Sequence, residues 1–124
     1  MKYVVLIWSN PGSRRIWESL SATERAGGLR VYAELTAELR DSGELLASEA
    51  LADPDLTVRI PASGQAKDLR TDAPLAEAKE HLAGFYLIDV ADAARAAQIA
   101  ARIPEARHGM VEVRPVMNYD MPDL

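Results

Sequence analysis

The sequence predicts an α+β fold in which two helices pack on one face of an antiparallel sheet. Three observations carry this expectation. Apolar runs of strand length stand at residues 2–9, 84–90 and 110–116. Apolar residues at helical spacing stand between them, at Leu29, Tyr32, Leu35 and Leu39 and again across 93–103. The order strand, helix, strand occurs twice around a turn-rich insertion, which is the ferredoxin-like sandwich: β-α-β, a hairpin insertion, β-α-β.

Each element has a local reason. Residues 2–9 are β-branched and aromatic and end at Asn10-Pro11-Gly12, a strong turn signal. Residues 13–20 fit more than one reading. Ser21-Ala22-Thr23-Glu24 fits a capping box, in which the Ser21 hydroxyl accepts the amide of residue 24 and Glu24 reaches back. The helix it opens runs to about residue 42, roughly 30 Å at 1.5 Å per residue, and Gly43 is its natural left-handed stop. Gly27 and Gly28 each weaken it by about 1 kcal/mol, so either the helix starts later or something packs close to its backbone there. Residues 44–51 follow a helix stop and precede Asp53-Pro54, which favours a strand. Leu56-Thr57-Val58-Arg59-Ile60 reads as another, turning at 62–65 towards a partner at about 67–71. After the strand at 84–90, Asp92 can cap an alanine-rich helix 93–103, with Arg95, Gln98 and Arg102 as its polar stripe, and Ile103-Pro104 ends it. The last strand alternates, and a polar tail follows at 118–124.

Strand alternation divides the side chains between two faces. The helices need an apolar face, and Val111 and Val113 with Phe85 and Leu87 supply one. The other face then carries Trp8, Tyr86, Glu112 and Arg114. Aromatic and charged together, it suits a sheet-to-sheet dimer contact, a ligand pocket, or both.

The bulk composition narrows the function. At 124 residues the chain is expected to be one domain, 1–124, large enough for a real core. Its net charge is −5, and its eleven arginines and three lysines form no block, which argues against a nucleic-acid partner. It has no cysteine, which excludes disulfides, thiolate metal sites and cysteine nucleophiles. The opening apolar run is too short to span a membrane, so no membrane partner and a cytoplasmic location are expected. No glycine-rich phosphate loop and no metal-ligand spacing occurs. His81 and His108 read as solvated polar residues rather than ligands, and no metal is expected.

The stretch 71–81, Thr-Asp-Ala-Pro-Leu-Ala-Glu-Ala-Lys-Glu-His, concentrates polar chemistry. Much of it has a structural account. Asp72 can cap a turn, Pro74 suits a first helical turn, and Glu77 and Glu80 against Lys79 read as a solvated helical face. The functional alternative makes Asp72 and Glu80 a general base or acid at the end of the sheet.

The whole chain resembles the YCII-related family, specifically the branch named for an Asp-Gly-Pro-Phe motif. The resemblance rests on Met-Lys-Tyr and its apolar run (1–7), Gly-Glu-Leu (43–45), Asp72 and Pro74, Ala-Glu-Ala-Lys-Glu (76–80), Gly84 to Ile88, Ala-Arg-Ile-Pro (101–104) and Val-Glu-Val-Arg-Pro-Val (111–116). Inside the naming motif, Asp72-Ala73-Pro74-Leu75 replaces Asp-Gly-Pro-Phe. Losing the glycine removes the freedom to take positive φ, and losing the ring removes an aromatic surface. The resemblance implies a dimeric α+β barrel in which two sheets meet and leave a cleft.

It also implies a small-molecule-binding protein, with relatives that look like lyases or dehydrochlorinases. A His–Asp acid–base pair is proposed for some of them. No histidine stands at a matching motif position here, so only Asp72 carries over. The reading that follows is a cofactor-independent acid–base enzyme of lyase or isomerase type. Asp72 would accept the proton, Arg114 would anchor an anionic substrate, Trp8 and Tyr86 would form aromatic walls, and Glu80 would lie nearby. The alternative is a homodimeric ligand-binding or sensing module associated with an extracytoplasmic-function sigma factor.

Overall fold

The computed structural model describes residues 1–65 and 80–118. Among these residues, one sheet is formed by β1 (Lys2–Ser9), β2 (Leu45–Ala50), β3 (His81–Asp89) and β4 (Val111–Pro115), in the order β2-β3-β1-β4. Every pairing is antiparallel. Three helices, α1 (Pro11–Ser19), α2 (Ala22–Asp41) and α3 (Ala93–Ala101), complete the α+β plan. The split order of strands around the central β1–β3 pair is the ferredoxin-like arrangement expected from the sequence. No helix among the described residues is long and apolar enough to cross a membrane.

The helix boundaries follow their caps. The turn expected at Asn10-Pro11-Gly12 is instead the start of α1. Asn10 Oδ1 accepts from the Ser13 amide at 2.8 Å, and Pro11 sits in the first turn, where its missing N–H costs nothing. The capping box at Ser21 and Glu24 is complete, with both reciprocal bonds present. Gly43, at φ 79°, lies just beyond α2 in the left-handed conformation that stops it. Asp92 caps α3 by accepting from the Arg95 amide at 2.9 Å.

No strand element spans the expected 56–60: Asp53 accepts from the Asp55 amide and caps a short 3-10 turn at Pro54–Leu56, the Thr57 amide donates to the Pro54 carbonyl, and beyond them Arg59 stands in a single β-bridge. The partner strand expected at 67–71 lies outside the described residues. β3 begins at His81, three residues before the expected start, so His81 belongs to a strand and not to a helical turn.

The core lies between the sheet and helices α2 and α3. It contains Tyr3, Val5 and Ile7 of β1, Leu35 and Leu39 of α2, and Ala96, Ile99 and Ala100 of α3. From β3 it takes Tyr86 and Ile88, which corrects the expectation that Phe85 and Leu87 face the helices. Val5 pairs with Tyr86 on one side and Val113 on the other, and directly opposed residues share a face. Val111 and Val113 therefore face the core, as expected. Phe85 and Leu87 lie half-buried on the outer face with Val4, Leu6 and Trp8, beside exposed Glu112 and Arg114. Gly84 is required where β3 meets β2: a Cβ there would stand 2.9 Å from the Glu49 carbonyl oxygen.

One ion pair fastens α3 to the start of β2. Arg95 holds Glu44 with two bonds, Nε to Oε2 and Nη2 to Oε1, each 2.8 Å. The Arg95 guanidinium, helped by the Ser42 hydroxyl, holds the Glu44 carboxyl down at about 2. Because the folded value lies below the ordinary 4.5, the pair stabilises fully above about pH 4.5 and loses its contribution as pH falls towards 2. Glu44→Gln should lower stability by about 1 kcal/mol at pH 7, the scale of a partly exposed pair. Urea unfolding of both proteins at descending pH should show the difference shrinking below pH 4.5. A difference unchanged down to pH 3 would exclude the ion pair as its source.

Candidate ligand-binding cleft

On the helix side of the sheet, where β1 leaves for α1, a cleft of about 620 Å³ opens. Its floor is the core-facing row of the sheet beyond the packed core: Ile7 and Ser9 of β1, Gly84 and Tyr86 of β3, and Ser48 and Ala50 of β2. The register pairs Ser9 with His81, which brings that imidazole, half-buried, to the cleft wall. Helix α1 contributes Arg14 and Trp17, α2 contributes Leu29 and Tyr32, the turn at Pro54–Leu56 with its cap supplies Asp53 and Pro54, and a second 3-10 turn at Pro104–His108 supplies Glu105.

The position of Trp17 explains the two glycines of α2. A Cβ on Gly28 would stand 3.3 Å from the Trp17 ring, whereas one on Gly27 would meet nothing within 4 Å. The indole therefore lies against bare helix backbone at Gly28, one turn before Tyr32. Arg25 of α2 completes the joint, donating to the Trp17 carbonyl from Nε at 3.1 Å and to the Glu18 carbonyl from Nη2 at 2.5 Å. The Trp17 carbonyl also accepts from the Leu20 amide at 3.2 Å, so Arg25 adds to the capping of the α1 C-terminus. Leu29, expected in the core, is 58% exposed because α2 overhangs the cleft at this end.

The polar groups are largely paired. Arg14 grips Asp53 with both guanidinium nitrogens, Nη1 to Oδ1 at 3.0 Å and Nη2 to Oδ2, and its Nε donates to Glu18 at 3.2 Å. This clamp ties α1 to the turn after β2. The Tyr32 hydroxyl donates to Glu105 Oε2. Burial first, then the hydrogen bond and the nearby charge of Glu105, push the Tyr32 phenol far above its ordinary value, so it remains a proton donor. The Tyr86 hydroxyl and Thr36 Oγ1 are 2.8 Å apart. Among the described residues no three His, Asp or Glu side chains converge as the ligands of a metal would.

The residues proposed from the sequence do not assemble into one site. Tyr86 faces the helices and reaches the cleft. Trp8 lies on the outer face, paired with Leu82, its indole N–H buried without a hydrogen-bond partner. Arg114 is also on the outer face but opposite Val4, about 13 Å along the strand from Trp8. Glu80 is exposed immediately before β3. Asp72 lies outside the described residues. Sequence reasoning missed Arg14, Trp17, Tyr32, Asp53 and Glu105. Two signals pointed to them: Asn10-Pro11 as a helix start, and the paired glycines as a close approach.

Alanine at the two glycines should separate their roles. Gly27→Ala should raise stability by about 1 kcal/mol through helix propensity. Gly28→Ala should gain less or lose stability, and should change tryptophan fluorescence as its methyl displaces Trp17. Equal gains with unchanged emission would remove the Trp17–Gly28 contact from this account.

Comparisons with known proteins extend over nearly the whole length of the chain. The family model for the YCII-related domain matches residues 1–120. An uncharacterised protein of Rhizobium meliloti (strain 1021) is 33% identical over 123 residues, covering 98% of this chain and 89% of its own. A solved 5-chloro-2-hydroxyhydroquinone dehydrochlorinase from Burkholderia phenoliruptrix AC1100, in complex with 2,5-dihydroxybenzoquinone, aligns over 97% of each chain. Its TM-score is 0.47 and its identity 12%. At that distance neither its reaction nor its ligand transfers to this chain.

Proposed function

The chain belongs to the YCII-related family, and we propose that it is a small-molecule-binding protein whose ligand occupies the cleft between α1, α2 and the sheet. The observation that carries this reading is the cleft itself. Its volume of about 620 Å³ suits a small organic molecule, and its walls combine apolar surface with a few placed polar groups.

The finer reading is acid–base catalysis without an organic cofactor, of lyase or isomerase type. The cleft supports it with two groups of complementary character. The His81 imidazole, on the cleft wall, offers a ring nitrogen as a general base. The Tyr32 phenol, kept protonated by burial and Glu105, has one O–H, which can serve a substrate oxygen as a hydrogen-bond donor on leaving Glu105. Asp72 stays in the proposal as a second carboxylate, on the strength of its motif position alone. Arg114 is withdrawn as the anchor of the cleft ligand, since it stands on the other face of the sheet.

A thermal-shift screen of small metabolites tests binding, because a ligand of the native state raises Tm by mass action. A true cleft ligand should lose its shift in Trp17→Ala. If such a ligand is consumed, His81→Gln should lower kcat by about 100-fold or more, the usual contribution of a general base. Binding without turnover would instead make the protein a sensing module. A ligand whose shift survives Trp17→Ala would move the site out of this cleft.

We also propose that two copies associate through the outer face of the sheet, whose Val4, Leu6, Phe85 and Leu87 lie opposite the side covered by α2 and α3. Sedimentation should give the mass of two chains, and Phe85→Arg should return the mass of one with an unchanged circular dichroism spectrum. A wild-type protein that sediments as one chain at high concentration would remove this proposal.

A further inference from the structure

The charges around the cleft are unevenly answered. Among the described residues its one guanidinium, Arg14, is held by two carboxylates, Asp53 through both terminal nitrogens and Glu18 through Nε. An incoming anion would have to displace one of them. Glu105 is the reverse case. Its carboxylate lines the cleft, half-buried, and receives a hydrogen bond from the neutral Tyr32 hydroxyl. It has no ion pair among the described residues, although exposed Arg107 and His108 follow it on the same turn. Arg107 lines a different hollow, with Val31 and Arg102.

The aromatic surface lies beside this unanswered charge. Tyr32 touches Glu105, and Trp17 rests on Gly28 one helical turn away along α2. A carboxylate that shares a cleft with an indole and a phenol is chemistry that holds an organic cation: the ring faces attract positive charge, and the carboxylate neutralises it. Burying a ligand carboxylate against Glu105 would instead place two like charges together in a partly desolvated site.

Resting on the proposal that the cleft is the binding site, we infer that its ligand is an organic cation, a protonated amine on an apolar or aromatic body. Glu105 faces the ammonium group, and Trp17 and Tyr32 flank it. Arg14 closes the cleft through its clamp on Asp53 and does not serve as an anion anchor.

Three probes of matched shape test this at pH 7: 3-phenylpropylamine, 3-phenylpropanol and 3-phenylpropionate, titrated calorimetrically into the full-length protein. The ammonium form should bind about tenfold more tightly than the alcohol, with the carboxylate weakest. Glu105→Gln keeps the size and an acceptor for Tyr32, and should remove most of the amine's advantage while leaving the alcohol unchanged. Tyr32→Phe keeps the ring and frees the carboxylate, so the amine should bind at least as well. Trp17→Ala should weaken all three. If the carboxylate or the alcohol binds as tightly as the amine and is lost in Trp17→Ala, the cation inference falls and the cleft reading stands. An amine whose affinity ignores both Glu105→Gln and Tyr32→Phe also overturns the inference. If no probe binds at all, both fall.

Discussion

The pairing of Val5 with Tyr86 across β1 and β3 is the constraint on which the rest depends. A sheet has only two faces, and a shift of one residue would exchange every side chain between them. With Val5 opposite Tyr86, the central strands send Tyr3, Val5, Ile7, Tyr86 and Ile88 to one side, where α2 and α3 bury them. The same pairing extends to Ser9 and His81, after a shift in register between Ile7 and Trp8. The row that forms the core near α3 thus becomes, further along, the floor of the cleft. Core and cleft are two ends of one sheet face.

What separates the two ends is how closely the helices approach. Near α3 the alanines at 96 and 100 are buried against the sheet, and little space remains. Near α1 the contact is made between helices instead, by an indole laid on Gly28 and by Arg25 closing the end of α1. The Arg14–Asp53 clamp then holds α1 out over the turn after β2. A gap between α1, α2 and the sheet is the geometric result. Among the described residues its guanidinium is tied to two carboxylates, whereas the Glu105 carboxylate meets only a phenol. That asymmetry gives the cleft its chemical character.

Much of the fold was legible in the sequence because it is written in local chemistry. The capping box at Ser21, the stop at Gly43 and the cap at Asp92 each act within a few residues, and each formed as read. The errors arose where local signals admit two outcomes. Asn10-Pro11-Gly12 serves equally as a turn or a helix start, and here Asn10 caps the helix through the Ser13 amide. Leu56 to Ile60 has strand composition, but Asp53 caps a 3-10 turn at its start and, of its residues, Arg59 alone enters a β-bridge. In β3, Phe85 and Leu87 are as apolar as Tyr86 and Ile88, so hydrophobicity could not choose the buried pair. The site suffered most from this. Trp8 and Tyr86 seemed to share a face, and the bulge and pairing put them on opposite sides.

By itself, then, the sequence determined most of the elements, many of their ends and the family, and at Gly27-Gly28 it posed a choice between a later helix start and a group packed close to the backbone. Those properties depend on residues near one another along the chain, where backbone geometry and capping act directly. The tertiary structure alone decided which strand face is buried, that Trp17 is the group resting on Gly28, and that Tyr32 meets Glu105 across 73 positions of sequence. Such contacts join distant segments. Their partners are selected by the register of the sheet and the docking of α1, which no local pattern encodes.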